Sequence, residues 1–274
     1  MCFINSMTIN KGRSLSLAVS IITFVLLACA TPGENDSSQG VSKSTPSSMK
    51  KYNITPADLP PPGATQSALN MPRVVPRPAG AAFEHPAGFE AAVFAEGDFE
   101  EPRWMALAPN GDVFLADSRP GRVVILRDAN QDGKPEERFV FATGLTQPFG
   151  MAFWKDYLYV ANTDSVVRFK YKAGQTRAEG EPEKIADLPG KGYRQHWTRN
   201  IIFSPDGSKM YVSVGSESNV NVEPDPRRAA VSEYNPDGTG HRIFAGGLRN
   251  PVGLAFYPGT RSLWTTVNER DGLG

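Results

Sequence analysis

Cysteine is nearly absent: Cys2 and Cys29 are the only two in 274 residues, and both sit near the start. That excludes a disulfide framework and a cysteine-built metal centre. Histidine is almost as scarce, with His85, His196 and His241 making up the whole complement. Proton chemistry near neutral pH therefore has few candidate carriers. Charge of one sign is also missing, because 29 lysines and arginines balance 29 aspartates and glutamates. No global positive field is available to hold nucleic acid, and no block of like charge marks an acidic partner. No stretch sustains a helical period. G-x-S-x-G, G-x-G-x-x-G and H-E-x-x-H do not occur, which argues against serine-hydrolase, Rossmann and zincin chemistry.

What the chain does have is turn formers, 26 glycines and 23 prolines, a composition that favours a β protein over a helical one. It opens with a basic stretch (Lys11, Arg13) and an apolar run, Leu15 to Leu27, too short to span a bilayer but of signal-peptide length. The run closes on Leu26-Leu27-Ala28-Cys29, which resembles the lipobox of bacterial lipoproteins. That implies cleavage before Cys29, acylation of the cysteine, and a membrane-anchored protein of the cell envelope that faces the periplasm. The alternative is an ordinary secretory signal with a chance cysteine. From Ala30 to about Pro78 the chain is rich in Ser, Pro, Thr and Gly, a composition that cannot offset ordering entropy. We therefore expect a signal peptide over 1–28, a flexible tether over 29–78 and a folded region over 79–274. The segment Asp58 to Pro62 is expected to be extended.

One phrase recurs through the folded region: a few apolar residues, a Pro/Gly/Asp turn, then an alternating β-rich run. It reads MALAPNGDVFLAD from Met105, GMAFWKDYLYVAN from Gly150, NIIFSPDGSKMYVSVG from Asn200 and VGLAFYPGTRSLWTTVN from Val252. Ala106, Ala152, Ile202 and Ala255 fall about fifty residues apart, the period of propeller blades. Turn residues stand where hairpins need them, with further strands between units: Arg122 to Leu126, Arg138 to Phe141, Val166 to Tyr171 and Ala230 to Tyr234. The expected fold is all-β, a β-propeller showing about four blades of four antiparallel strands. An unclosed propeller exposes strand edges, so the chain reads as the N-terminal part of a longer one.

Propeller sites form at one channel mouth, from the loops that lead into the innermost strands. Here those loops hold Arg103-Trp104, Thr146-Gln147-Pro148-Phe149, Gln195-His196-Trp197 with Thr198-Arg199-Asn200, and Arg249-Asn250-Pro251. His196 is the first candidate for proton transfer. Trp104 and Trp197 are placed for packing or for stacking on a sugar. Phe153, Trp154, Phe256 and Trp264 read as sheet packing, and His85 and His241 as solvated turn residues.

The phrases QHWTRNIIFSPDG, GLRNPVGLAFYPGTRSLWTTVNERDG and TQPFGMAF resemble those of the pyrroloquinoline-quinone-dependent sugar dehydrogenases, especially the soluble aldose and sorbosone dehydrogenase branch. The match runs from about Phe89 to Gly274. Such a resemblance implies a six-bladed propeller that oxidises an aldose at C1, with calcium-held pyrroloquinoline quinone, and hands electrons to a cytochrome or quinone acceptor. It implies His196 as general base, and Gln147, Gln195, Trp197 and Arg249 as sugar contacts. Arg249, Asn250, Glu269 and Arg270 would contact the cofactor, and backbone oxygens of Arg270 and Asp271 the calcium. Gln195 stands where the glucose-oxidising branch has a carboxylate, which implies a different sugar preference. Val252 replaces a polar cofactor contact, and contributions from the last blades are not in the chain, so by itself it is expected to bind quinone poorly.

Two other classes compete. A lactonase-type propeller needs channel Glu, Asn and Asp ligands on several blades, for which Gln147, His196 and Arg249 are the wrong types; a non-catalytic binding propeller needs no such constellation. Separately, Asp128-Ala-Asn130-Gln-Asp132-Gly133 has the early spacing of an EF-hand loop, but Phe139 occupies the twelfth position, where a carboxylate belongs.

Overall fold

The computed structural model describes residues 4–7, 46–47, 51–61, 63–66, 73–76, 78–190 and 196–272. Cys29, the apolar run 15–27 and Gln195 lie outside the described residues, and with them the lipidation and signal-peptide readings. No described helix is long and apolar enough to cross a membrane.

Packing divides the chain into two units, one of residues 1–4, 54–72 and 93–274, the other of 5–53 and 73–92. In the second, Pro46–Ser47 pairs in parallel with His85–Pro86. His85 is buried there, its Nδ1 3.1 Å from the Pro86 carbonyl oxygen. This corrects the solvated reading, because the residue lies in a paired strand rather than in an open turn. His241 is exposed as expected, although its Nε2 lies 3.1 Å from Ser232 Oγ.

The larger unit carries the blades. Blade 1 is β1 (Pro102–Leu107), β2 (Val113–Asp117), β3 (Arg122–Arg127) and β4 (Glu137–Ala142). Blade 2 is β5 (Met151–Trp154), β6 (Tyr157–Ala161), β7 (Ser165–Lys170) and β8 (Glu183–Asp187). Blade 3 is β9 (Arg199–Phe203), β10 (Met210–Val214), β11 (Ala230–Tyr234) and β12 (Arg242–Ala245). Two further strands, β13 (Asn250–Phe256) and β14 (Leu263–Asn268), pair as the start of a fourth. Each blade is an antiparallel meander in chain order. First strands of successive blades lie side by side, β1 by β5, β5 by β9 and β9 by β13. They are therefore the inner strands, and the loops feeding them share one end.

Apolar faces explain the stacking. Phe114, Ile125 and Phe141 of blade 1 pack with Met151, Leu158, Phe169 and the blade 2 residue Tyr171 in one core. Tyr159 and Val166 of blade 2 pack with Ile201, Met210 and Val212 of blade 3 in the next. Central strands such as β10 are buried at every residue because a blade covers each face, so they read as continuous apolar runs rather than alternating ones. Phe153 and Trp154 pack as expected, the latter stacked on Phe203 at 5.4 Å. Trp264 does not: it is 63% exposed, on the outward face of the alternating strand β14, touching only Tyr257 among ring partners. No further blade packs on that face among the described residues.

Candidate functional site

Hairpin register builds the site. In blade 3, Arg199 pairs with Val214, so the residues just before β9 and just after β10 face each other. His196 thereby meets Gly215 and Ser216. The imidazole is buried, with Nδ1 2.8 Å from Ser216 Oγ and 3.2 Å from the Ser216 carbonyl oxygen. Gly215 is the pivot. A Cβ there would stand 2.6 Å from His196 Cβ and 2.4 Å from Asn250 Oδ1, so only glycine lets the blade 3 histidine and the blade 4 amide close on each other.

Arg249 is drawn in from the same side. Ser216 donates its N–H to the Arg249 carbonyl at 2.7 Å, tying the β10 exit to the β13 approach. The guanidinium donates to the Asn268 and Glu269 carbonyl oxygens at 3.2 and 2.5 Å and pairs with Asp271 at 2.8 Å. Asn219 clamps Asp271 in turn, its Oδ1 accepting from the Asp271 N–H at 3.0 Å and its Nδ2 donating to the Asp271 carbonyl at 3.2 Å. Burial first, and the positive Arg249 second, push the His196 imidazole below its ordinary range. The neutral form therefore predominates at pH 7.

A second cluster lies on the blade 1 and blade 2 side of the same end. Trp104 and Trp197 both meet Phe149, at 5.5 and 5.9 Å between ring centroids. The Arg103 guanidinium lies 5.2 Å from the Trp197 ring centre. Gln147 sits at the lip, exposed and with φ +48°. His196, Arg249, Asn250 and Asp271 are thus brought together, and Trp197 adjoins them through the chain. Glu269 and Arg270 are exposed beyond β14. No hydrogen bond or ion pair among the described residues joins the side chains of Gln147, Glu269 or Arg270 to this group.

Two contributors, Ser216 and Asn219, were missed in the sequence, and Arg199, which stands in the His196 cluster there, has no role assigned by it. Arg199 is 1% exposed and faces no carboxylate within ion-pair distance among the described residues. Its guanidinium donates instead to the carbonyl oxygens of Thr163, His196, Thr198 and Pro189 at 2.7 to 3.1 Å. Burial, then nearby Arg228, pulls its pKa down to about 9, so it remains a cation holding the backbone of the His196 loop. The one available signal was register: a hairpin that starts at Arg199 has to return beside it at Val214.

The TrAA12-like family profile matches residues 83–274. The chain belongs to the TrAA12-like family. A protein of Borreliella burgdorferi described as uncharacterised is 24% identical to this TrAA12-like chain over 197 residues, 69% of this chain and 50% of that one. The holo form of the pyranose dehydrogenase PQQ domain of Coprinopsis cinerea superposes with a TM-score of 0.57 at 19% identity, covering 64% of this chain and 46% of that one. The calcium structure of the Trichoderma reesei carbohydrate-active enzyme of family AA12 gives 0.57 at 17% identity, covering 65% and 48%. Those two likenesses establish the fold. The TrAA12-like chain spans about half the length of the relatives it matches.

Proposed function

We propose that this chain contributes the base-bearing part of a pyrroloquinoline-quinone-dependent sugar dehydrogenase. One observation carries the reading: a buried imidazole stands within the field of a guanidinium from the next blade and across Gly215 from that blade's amide, at the end where the inner-strand loops gather. The family and the cofactor named for its structural neighbour support it.

The residues fit such a cofactor. Arg249 Nε and Asn250 Oδ1 are buried and have no hydrogen-bond partner among the described residues; an anionic, carbonyl-rich group suits the Nε–H donor, and an N–H or hydroxyl of cofactor or sugar suits the Oδ1 acceptor. A hard cation needs oxygen donors, and the turn after β14 is rich in them. Calcium is assigned to the backbone oxygens of Arg270 and Asp271. The quinone, held there, would supply a two-electron acceptor for the hydride from C1. His196 removes the C1 hydroxyl proton as that hydride departs, so the sugar loses both hydrogens and becomes a lactone. Arg249 supplies positive charge where negative charge develops. Gln147, Gln195 and Trp197 orient an aldose-type substrate. The same reading places the protein on a lipid anchor at Cys29, facing the periplasm, with a cytochrome or quinone as electron acceptor.

Reconstitution of the full-length protein with the quinone and calcium, followed by dye reduction with a panel of aldoses, tests this. Turnover should appear with at least one sugar and fall on the order of 10²- to 10⁴-fold in His196→Ala. The acid limb of kcat/KM should lie below 6.5, because burial and Arg249 hold the imidazole under that ordinary value. Absence of quinone-dependent turnover with every sugar, or unchanged turnover in His196→Ala, would overturn the assignment.

A further inference from the structure

Either nitrogen of a neutral imidazole can carry the proton, and only the other accepts one. The two oxygens facing His196 Nδ1 decide between them. Ser216 is 4% exposed, and its Oγ lies 2.6 Å from the Ser218 carbonyl oxygen as well as 2.8 Å from His196 Nδ1. A hydroxyl has a single hydrogen, and a carbonyl oxygen can only accept. The Ser216 hydrogen is therefore committed to Ser218, which leaves Oγ to present a lone pair to the imidazole. Ser216's own carbonyl oxygen, 3.2 Å from the same nitrogen, is also an acceptor. Without a hydrogen on Nδ1, lone pairs would face one another across two short, buried contacts.

We infer that Ser216 is a positioning residue: it holds His196 as the Nδ1–H tautomer, so that Nε2 is the nitrogen that accepts the sugar proton. This rests on the dehydrogenase reading. Because Ser216 is uncharged, it fixes orientation without lending the imidazole negative charge. Among the described residues, the charged groups that act on the ring are Arg249 on the approach to β13, Asp271 after β14 and Glu223 in the β10–β11 loop. Ser216 also stands in the chain where the two blades are tied, since its N–H holds the Arg249 carbonyl. One residue therefore fixes both the state of the base and the place of its cationic neighbour.

With three histidines in the chain, ¹⁵N-histidine labelling of the full-length protein gives three imidazole patterns, and His196→Gln identifies the one that matters. In long-range ¹H–¹⁵N spectra above the titration, His196 should show a pyrrole-type Nδ1 and a pyridine-type Nε2. Ser216→Ala should move the pattern towards the Nε2–H form favoured by histidine in water, and should lower kcat roughly 5- to 10-fold, the worth of one hydrogen bond of about 1 kcal/mol. Ser216→Thr, which keeps the oxygen, should restore both. A pyridine-type Nδ1 in the parent protein would overturn the inference without recourse to any variant. So would a Ser216→Ala protein with unchanged spectrum and turnover. If the tautomer is as stated but no sugar is oxidised, the dehydrogenase reading fails and the tautomer assignment stands.

Discussion

At the scale of single residues, two positions pin the His196 imidazole. Arg199 gives up water for four carbonyl oxygens rather than for a carboxylate, a geometry that suits a planar fork of donors and not a point charge. Arg199→Lys should lower stability by ~2–4 kcal/mol, since buried acceptors are left unmade. A fall in the urea midpoint with an unchanged slope would show it. Gly215→Ala drives a methyl to within 2.4 Å of Asn250 Oδ1 and 2.6 Å of His196 Cβ. Overpacking of that kind costs ~1–3 kcal/mol, and quinone affinity and kcat should both fall at least about tenfold, as read by titration and steady-state rates. His196, Arg249 and Asn250 could be picked out in the sequence because they stand just before recurring phrases. Ser216 and Asn219 could not, for serine and asparagine in a turn-rich loop look like turn chemistry until the hairpin register sets them beside the imidazole and Asp271.

Elements tell a similar story. Strand phrases were legible because each inner strand, tight turn and second strand repeats; Ala230–Tyr234 was placed to the residue, and β3, β4 and β7 within one or two. Burial was less legible: alternation suggests a half-exposed strand, whereas β10 is covered on both faces. Trp264 shows the opposite error, a strand position whose outward side nothing covers. Outer strands are held by ion pairs that sequence reading passed over. Glu233 on β11 receives Arg242 of β12 through two hydrogen bonds of 2.8 and 2.7 Å. Those bonds hold its carboxyl below the ordinary range against the opposing pull of burial. A depressed folded value means stabilisation that is present above the unfolded pKa and lost as pH falls through the folded one. Glu233→Gln should therefore lower the urea midpoint at pH 7, with the gap to the parent narrowing as pH drops below about 4.

Across the whole molecule, cores lie between blades rather than within them, so stability and site assembly are one property. Met210, fully buried, sits in the core shared by blades 2 and 3. Met210→Ala should cost ~2–5 kcal/mol, and quinone binding should be lost in step with the fold. Coincident urea transitions by circular dichroism and by quinone retention would bear that out; quinone release well ahead of unfolding would not.

The β9–β10 hairpin carries both the imidazole and the serine that orients it, while the guanidinium and amide arrive on the following blade. In a protein assembled from duplicated modules, these two halves are separately heritable. Exchange of blade 3 alone would move the imidazole with its serine but leave behind the Thr163 and Pro189 carbonyls that Arg199 grips, whereas exchange of its successor would alter what the imidazole faces. Recombination at the boundary between blades 3 and 4 would thus change the surroundings of His196 while leaving its serine partner in place.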